Sequence, residues 1–489
     1  MAPTPLSFRT RRPVTRPLAR VMAAGLLAAG MLTAGCNDFI GAPSAIANPN
    51  NPTQASNNQL LTGVQVNQTA LLTGDIARTV GLWMQQFSGT QGQYVSYATY
   101  DIAEDFTNGA WGTIYQGGGL QDLRLIQSRA DAAGDSTTAG IARVIEGLIV
   151  GTAADLWGDI PYTSALSVAE KATRDPQAQV YAAVQTTLDR GITQLRANQG
   201  AGPGAADIWY AGNRVRWIEA ANTIKARFHL HTAERPGTAP DGTPAFAAAA
   251  YQAALAAAQQ GISSPANNLR TYQSSSPTEQ NLWFQFTVNA RNGYLSPSDY
   301  FVDLLKSRND PRLTTYFQPS GGSEIFGSPT DNGAPANTAR LNSATVGAAG
   351  YRQPLVTYTE NQLIIAEAQY RLGNPGAALT AFNNARTAQD LPAATSLQTG
   401  AAGLAQIMTE KYIALFQNLE IWNDYKRTCV PALRPLEAAG AGLRIPARFL
   451  YPETERTSNS TNIPLPEDQD PRNPNDPNPC SVGGVRTSD

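Results

Sequence analysis

The stretch TENQLIIAEAQYRLGNPGAALTAFNNARTAQ, Thr359 to Gln389, reads as two short helices joined by a tight turn. Leu363, Ala366 and Tyr370 recur at helical spacing on one face, and Glu367 stands four residues before Arg371 as an intrahelical ion pair. Gly373 ends the first helix, Asn374 is placed to cap the next, and Pro375 suits its first turn. Ala378, Leu379, Phe382 and Ala385 then form a second apolar stripe. Downstream, Met408, Tyr412, Leu415, Phe416 and Leu419 predict a third helix over 404–425. Similar spacing marks 144–156, 180–195, 217–233 and the Ala-rich 246–260. No two-residue alternation is sustained over several strands, so the class is mainly α.

Leu372-Gly373, Ala378 and Phe382 resemble the Leu-Gly, Ala and aromatic positions of a tetratricopeptide hairpin, where small residues let two helices approach closely. One stretch breaks the helical pattern. Residues 268–300 are rich in Ser, Asn, Gln, Pro and aromatics without a clean period, and read as a loop-rich insertion of the kind that carries binding residues.

Across its 489 residues the chain sets 36 Lys+Arg against 38 Asp+Glu, a formal net charge of −2, with 15% charged residues. Typical soluble domains carry roughly 25%. A sequence-independent nucleic-acid binder needs a basic surface, so that class is excluded. The surface is expected to be built from Asn, Gln, Ser, Thr and Tyr, which suits polyols and polar polymers.

The amino terminus reads as an address. Arg9, Arg11, Arg12, Arg16 and Arg20 precede the apolar run 21–32, which is too short to span a bilayer, so residues 1–35 read as a signal peptide. Ala34-Gly35-Cys36 resembles a lipobox, which makes Cys36 the lipidation site and 36–56 a lipid-anchored tether; the alternative is a secreted protein cut near Ala34. Residues 57–489 read as a single domain ending in a Pro/Asn-rich tail, 451–489, too poor in apolar residues to build its own core. Cys429 and Cys480 are expected to pair in an oxidising compartment, the alternative being two free thiols.

Catalytic signatures are scarce. His229 and His231, the only histidines, are two apart on an expected helix and so on different faces, poor joint metal ligands. No Cys-x-x-Cys, Gly-x-Ser-x-Gly, phosphate-cradling glycine loop or His-Glu-x-x-His is present. Asp155, Asp159, Asp303 and Asp310 remain as carboxylates from which a glycosidase pair could be drawn, or as ordinary capping and surface acids. Asp468-Gln469-Asp470 starts like a calcium loop, but Asn473 stands where such a loop needs glycine. No metal and no cofactor are expected.

Aromatics are the informative class, because a ring face packs on the apolar face of a pyranose while polar neighbours bond its hydroxyls. Trp111, Tyr115, Trp217 and Trp422 lie in helical patterns and are assigned to the core. Tyr94, Tyr97, Trp283, Phe286 and Tyr294 lie in polar or loop-like stretches, where they either stack on a ligand or pack locally. These five are the candidate ligand-binding residues, and exchange of Trp283 and Tyr294 for Ala is expected to weaken binding.

The order of several segments resembles the SusD/RagB family of outer-membrane nutrient-binding lipoproteins. They are Asn48-Pro49-Asn50-Asn51-Pro52-Thr53, Trp157-Gly158-Asp159-Ile160-Pro161-Tyr162, Asp207-Ile208-Trp209-Tyr210-Ala211-Gly212 and Trp217 through Asn222-Thr223-Ile224-Lys225-Ala226-Arg227. Asn309-Asp310-Pro311-Arg312-Leu313, Ala366-Glu367-Ala368 with Leu372-Gly373, and Glu410-Lys411 leading to Trp422-Asn423-Asp424-Tyr425-Lys426-Arg427 complete the series. Gln417-Asn418 stands where the family often has Glu-Gly, which suggests a divergent subgroup; Cys36 is not followed by the Lys-Asp/Glu export signal often found there, so surface exposure is implied by the family and not by this leader. The resemblance implies a SusD-like α-helical fold with tetratricopeptide-like helix pairs and a loop-rich ligand-binding portion. It also implies a lipoprotein facing the cell exterior that captures a glycan, or a peptide, and delivers it to a SusC-like TonB-dependent transporter without breaking a bond. A tetratricopeptide-like envelope scaffold and a surface glycosidase are the alternatives.

Overall fold

The computed structural model describes residues 55–167, 171–329, 334–433, 445–469, 472–473 and 476. The leader, Cys36, the tether to Gln54 and Cys480 lie outside them. Met1–Ser56 and Asn57–Asp489 are separate units, and all that follows concerns the second.

The first half is helical: α1 (Asn57–Thr73), α2 (Asp75–Trp83), α3 (Gln93–Ala98), α4 (Asn108–Tyr115), α5 (Leu120–Ala132), α6 (Ser136–Trp157), α7 (Gln177–Ala197), α8 (Arg214–Leu230) and α9 (Ala248–Ala258). Asp135 starts α6 by accepting the Thr138 amide at 3.0 Å. The helix is then buried on every side, its Arg143, Glu146 and Asp155 included. Its Gly151 lies against Phe228 of α8 so closely that a Cβ there would come 2.1 Å from the ring. Small residues thus set the spacing at the centre of the fold.

The second half holds α10 (Leu282–Phe284), which runs on as a π-helical segment over Gln285–Ala290, then α11 (Asp299–Ser307) and α12 (Arg312–Tyr316). The hairpin α13 (Tyr358–Arg371) and α14 (Pro375–Thr387) follows, then α15 (Gly400–Ala414), α16 (Glu420–Thr428) and α17 (Glu453–Ser458). Short strands β1 (Phe87–Gly89), β2 (Glu234–Thr238), β3 (Pro244–Phe246), β4 (Leu269–Arg270), β5 (Leu295–Pro297), β6 (Phe317–Gln318), β7 (Arg340–Leu341) and β8 (Pro354–Val356) form two-stranded antiparallel ribbons, β1–β5, β2–β3, β4–β8 and β6–β7. The mainly α class is what the structure shows. Among the described residues no helix is long and apolar enough to cross a membrane.

The hairpin forms as its spacing dictates. Thr357 caps α13 by accepting the Glu360 amide at 3.0 Å, and Gly373, at φ +81°, makes the turn. Leu363, Ala366, Ala381, Phe382 and Ala385 close a small core with Ile407 of α15. Two details differ from expectation. Asn374 occupies the cap position, but its amide donates to Gln369 Oε1 at 3.0 Å instead of capping. Glu367 and Arg371 are both buried, so each turns to a charge on another element rather than to the other: Glu367 to Arg427 at 2.7 Å, Arg371 to Glu234 at 3.0 Å.

The third expected helix is two helices, broken between Ala414 and Glu420. Gln417 there sits at φ +63° and its amide donates to Gln86 Oε1 at 3.0 Å, while the Asn418 side chain accepts the Glu420 amide at 3.0 Å and opens α16. The apolar period ran through this break because Leu415, Phe416 and Leu419 within it are buried as well.

Many of the family-matching charges meet in one interior network. His231, just past α8, sits between Asp155 of α6 and Glu420 of α16, each at 2.7 Å. Arg227 pairs with Glu360 at 2.6 Å, Lys411 with Asp424 at 3.0 Å, and Arg427 with Glu367 at 2.7 Å and Asp424 at 2.6 Å. Tyr251 donates to Glu367 at 2.9 Å and also to Glu234. Charges so placed are tolerated only because each has a partner. Asp207 plays a neutral version of this role, accepting Trp217 Nε1 at 2.7 Å and the Gly212 amide at 2.8 Å.

The segment leading into the expected tail, and Tyr451 and Asn473 of the tail itself, are tied into the core. Trp422 donates to the Pro446 carbonyl at 2.7 Å, Trp157 to that of Leu450 at 2.9 Å, and Phe449 stacks on Trp83 at 4.7 Å. Tyr451 is fully buried, and Asn473 donates to the Asp155 carbonyl at 3.0 Å. Composition alone missed this because the helices supply the core that the tail lacks. Cys429 is in a disulfide.

Candidate functional site: an aromatic platform beside a cleft

Pairing of β1 with β5 sets Phe87 opposite Pro297 and Gly89 opposite Leu295, and so brings residues 90–97 against 285–294. Thr90 fastens the two arms: its amide donates to the Tyr294 carbonyl at 3.0 Å and its hydroxyl to that of Gly293 at 2.5 Å. Gly92, at φ +59°, lies under the Tyr294 ring, where a Cβ would come within 2.5 Å of it. Only glycine satisfies both the left-handed backbone and the ring above it.

On the other arm Asn281 caps α10 by accepting the amides of Trp283 at 2.8 Å and Phe284 at 3.2 Å. Its own amide donates to the Tyr351 carbonyl at 2.9 Å. A stretch with no clean period in sequence is therefore helical after all, started by one side chain and prolonged by a π-helical segment too short to show a repeat.

Four of the five candidate aromatics gather here. Tyr94 packs against Tyr97 at 5.3 Å and against Phe286 at 5.2 Å, and Phe286 meets Tyr294 edge to face at 6.3 Å. Arg78 of α2 holds its guanidinium 4.3 Å from the Phe286 centroid and donates through Nε to the Tyr94 hydroxyl at 3.0 Å. Asp75 in turn pairs with Arg78. Burial pushes the Tyr94 phenol up to about 12 against the opposing pull of Arg78, and burial also raises Tyr97. Both stay neutral hydrogen-bonding groups at ordinary pH.

Exposure divides the five. Trp283 is fully buried, its ring stacked on Phe87 at 4.9 Å, and Tyr94 is 1% exposed. Neither ring offers a free face, which corrects their placement as stacking residues: Trp283 plugs the core beneath the platform and Tyr94 braces it. Tyr97, Phe286 and Tyr294 are half-buried, with exposed Val95 and Val288 alongside.

The platform adjoins a cleft of about 260 Å³. Thr287, Asn292 and Gly293 form one wall, and Gln318, Arg340 and Ser343 another. Gln318 Oε1 accepts the Ser343 amide at 3.1 Å and so orients that wall. Ring faces beside amide, hydroxyl and guanidinium groups are what a pyranose needs: flat apolar contact on one side, hydrogen bonds along the edge. The sequence reading missed Arg78, Asp75 and the 318–343 wall. Strands of two residues leave no periodic trace, and Arg78 lies in an ordinary helix.

The candidate carboxylates are engaged elsewhere. Asp155 is bound to His231 and accepts Tyr181 at 2.7 Å, Asp159 accepts the Gln177 amide at 2.8 Å, Asp310 pairs with Arg312 at 2.6 Å, and Asp303 is on the surface. Among the described residues no His, Cys, Asp and Glu cluster could hold a metal ion; Asp470 of the calcium-like stretch lies outside them.

Comparison with known proteins gives a consistent result. Residues 49–452 match the SusD-like family model described as "Starch-binding associating with outer membrane". A SusD/RagB family protein from Bacteroides thetaiotaomicron superposes with a TM-score of 0.68 at 20% identity, over 84% of this chain and 95% of that one. A structure described as a chitin-binding protein gives 0.68 at 22% identity, over 82% and 95%. A chitin-binding SusD homolog from Flavobacterium johnsoniae gives 0.66 at 18% identity, over 87% and 98%. No curated protein matches the chain in sequence.

Proposed function

Because the chain belongs to the SusD-like family, we propose that it is a carbohydrate-binding nutrient lipoprotein of the outer membrane. It captures an oligosaccharide at the aromatic platform and passes it to a SusC-like TonB-dependent transporter. No bond is broken in this cycle. Ligand held between protein and transporter shifts open and closed populations by its differential affinity, and the transporter supplies the energised step. Acylated Cys36 would hold the protein on the membrane, facing the exterior. The names of two structural relatives, both chitin-binding, favour a glycan over a peptide.

The observation that carries this reading is the group of half-exposed rings, Tyr97, Phe286 and Tyr294, near a cleft whose mixed lining includes Gln318, Arg340 and Ser343. It is tested by titrating oligosaccharides of starch and chitin into the wild type and a Tyr97→Ala, Tyr294→Ala variant. Each lost ring is expected to weaken binding about tenfold while the melting temperature moves little, since neither ring is fully buried. Unchanged affinity for a bound sugar would remove the platform from the site.

The transporter step has its own test. Detergent extraction of the full-length protein from its native envelope is expected to bring down a large TonB-dependent barrel in stoichiometric amount, identified by mass spectrometry. Recovery without a barrel, from membranes where such barrels are detected, would sink the delivery role.

A further inference from the structure

The β4–β8 ribbon, separate in sequence from the platform, carries a second constellation. Arg270 stands opposite Pro354, and the Thr271 amide continues the ladder by donating to the Gln353 carbonyl at 2.9 Å. Alternation along the ribbon buries Leu269, Thr271 and Gln273 and turns Arg270 and Tyr272 outward. Arg352, two residues before β8, is exposed as well, and its guanidinium lies 5.7 Å from the Tyr272 centroid. Tyr272 remains 46% exposed.

Neither arginine is paired with an acid among the described residues. Arg270 makes no hydrogen bond or ion pair among the described residues, and Arg352 spends only Nε, on the Thr271 carbonyl at 2.8 Å. Nearby acids are occupied or apart. Glu219 accepts Ser263 at 2.8 Å and Asn267 at 2.8 Å, and Glu279 accepts Ser274 at 2.6 Å. Asp390 is the one acid lining the groove of about 350 Å³ that Arg270 borders together with Asn268, Thr345 and Tyr351; the groove's other arginine, Arg312, is committed to Asp310 and Glu410. Two cations set diagonally across a ribbon repel each other unless an anion comes between them.

We propose that this outer face of the β4–β8 ribbon, with its adjoining groove, is a second saccharide site that recognises a carboxylated sugar. A uronic acid presents a carboxylate at the edge of a pyranose ring. The guanidinium forks of Arg270 and Arg352 match the carboxylate, and the open Tyr272 ring takes the apolar face of the same sugar. Neutral sugars gain only the second contact. The inference rests on the glycan-binding reading above and narrows it to glycans that carry acidic residues.

The test titrates the purified full-length protein with tetragalacturonate, a mannuronate tetramer and a chondroitin tetrasaccharide, beside neutral maltotetraose, chitotetraose and triglutamate. At least one acidic oligosaccharide is expected to bind, more weakly as salt rises. Arg270→Gln with Arg352→Gln should weaken it about tenfold and leave neutral-sugar affinity within twofold. Both side chains are exposed, so an unchanged melting temperature serves as the folding control. Wild type that binds neutral sugars but none of the acidic ones overturns the second site and spares the platform. An arginine variant as tight as wild type overturns it too, as does capture of triglutamate with none of the uronates. A protein that binds no saccharide at all overturns the glycan reading itself.

Discussion

Glu367→Ala is expected to lower the unfolding free energy by about 3–5 kcal/mol. Glu367 is fully buried and accepts both terminal nitrogens of Arg427, at 2.7 and 2.9 Å, and the Tyr251 hydroxyl at 2.9 Å. Burial alone would lift its carboxyl, but Arg427, then Lys411 and Arg371, outweigh burial and hold it below the ordinary range. Alanine removes the anion and leaves Arg427 buried with less compensating charge. Breaking one side of a buried pair costs more than replacing both sides, so Glu367→Leu combined with Arg427→Met should recover part of the loss. Urea unfolding followed by tryptophan fluorescence measures it. A loss below about 1 kcal/mol would show that the network carries little of the stability.

The second large effect is a stability maximum near pH 6.5. Burial disfavours charge on His231, but the flanking carboxylates of Asp155 and Glu420 outweigh it and raise the ring to about 9. A raised pKa contributes stability that is complete below the unfolded value of roughly 6.5 and lost as pH climbs through the folded value. Unfolding free energy should therefore fall by a few kcal/mol between about pH 6.5 and 9.5. His229 acts on the other side. Burial, then Lys225, depresses it to about 4, so its contribution is present above roughly pH 6.5 and lost as pH falls toward 4. Glu420, held low by His231, Arg227 and Lys411 against burial, adds to that acid loss further down. Urea titrations at half-unit pH steps read the curve, and His231→Asn should lower stability at pH 6.5 and flatten the alkaline limb. A wild-type curve level from pH 6.5 to 9 would contradict the ion pairs seen around His231.

The fold was largely legible where burial has a period. The α13–α14 hairpin followed from Leu363, Ala366, Ala378 and Phe382, because one face of each helix meets a neighbour. The break at Gln417 was not legible, since its left-handed backbone is fixed by Gln86, which lies 331 residues away. The partners of Glu367 and Arg371 escaped for the same reason: local spacing offers a neighbour four residues on, while burial favours cations and anions on other elements. At the site, residue type singled out five rings without saying which would keep a free face. That is decided by the β1–β5 pairing, whose Thr90–Gly293 contact spans 203 residues. Trp283 and Tyr94 ended under the surface and Tyr97, Phe286 and Tyr294 on it, although all five sit in equally polar sequence.

The interior charge network also bears on how such chains diverge. Arg427 is shared by Glu367, Asp424 and Glu234, and Glu420 by His231 and Arg227, so exchanging any one of them takes a charge partner from another. Mutational drift is blocked there one step at a time, whereas the platform rings and the outer face of the β4–β8 ribbon, resting on backbone pairing and solvent, can change singly at small cost to folding. A lineage built this way can acquire new diets while its inner signature stays frozen. Likeness in that signature therefore reports descent, and the cargo has to be read from the rings and the unpaired guanidinium groups at the surface.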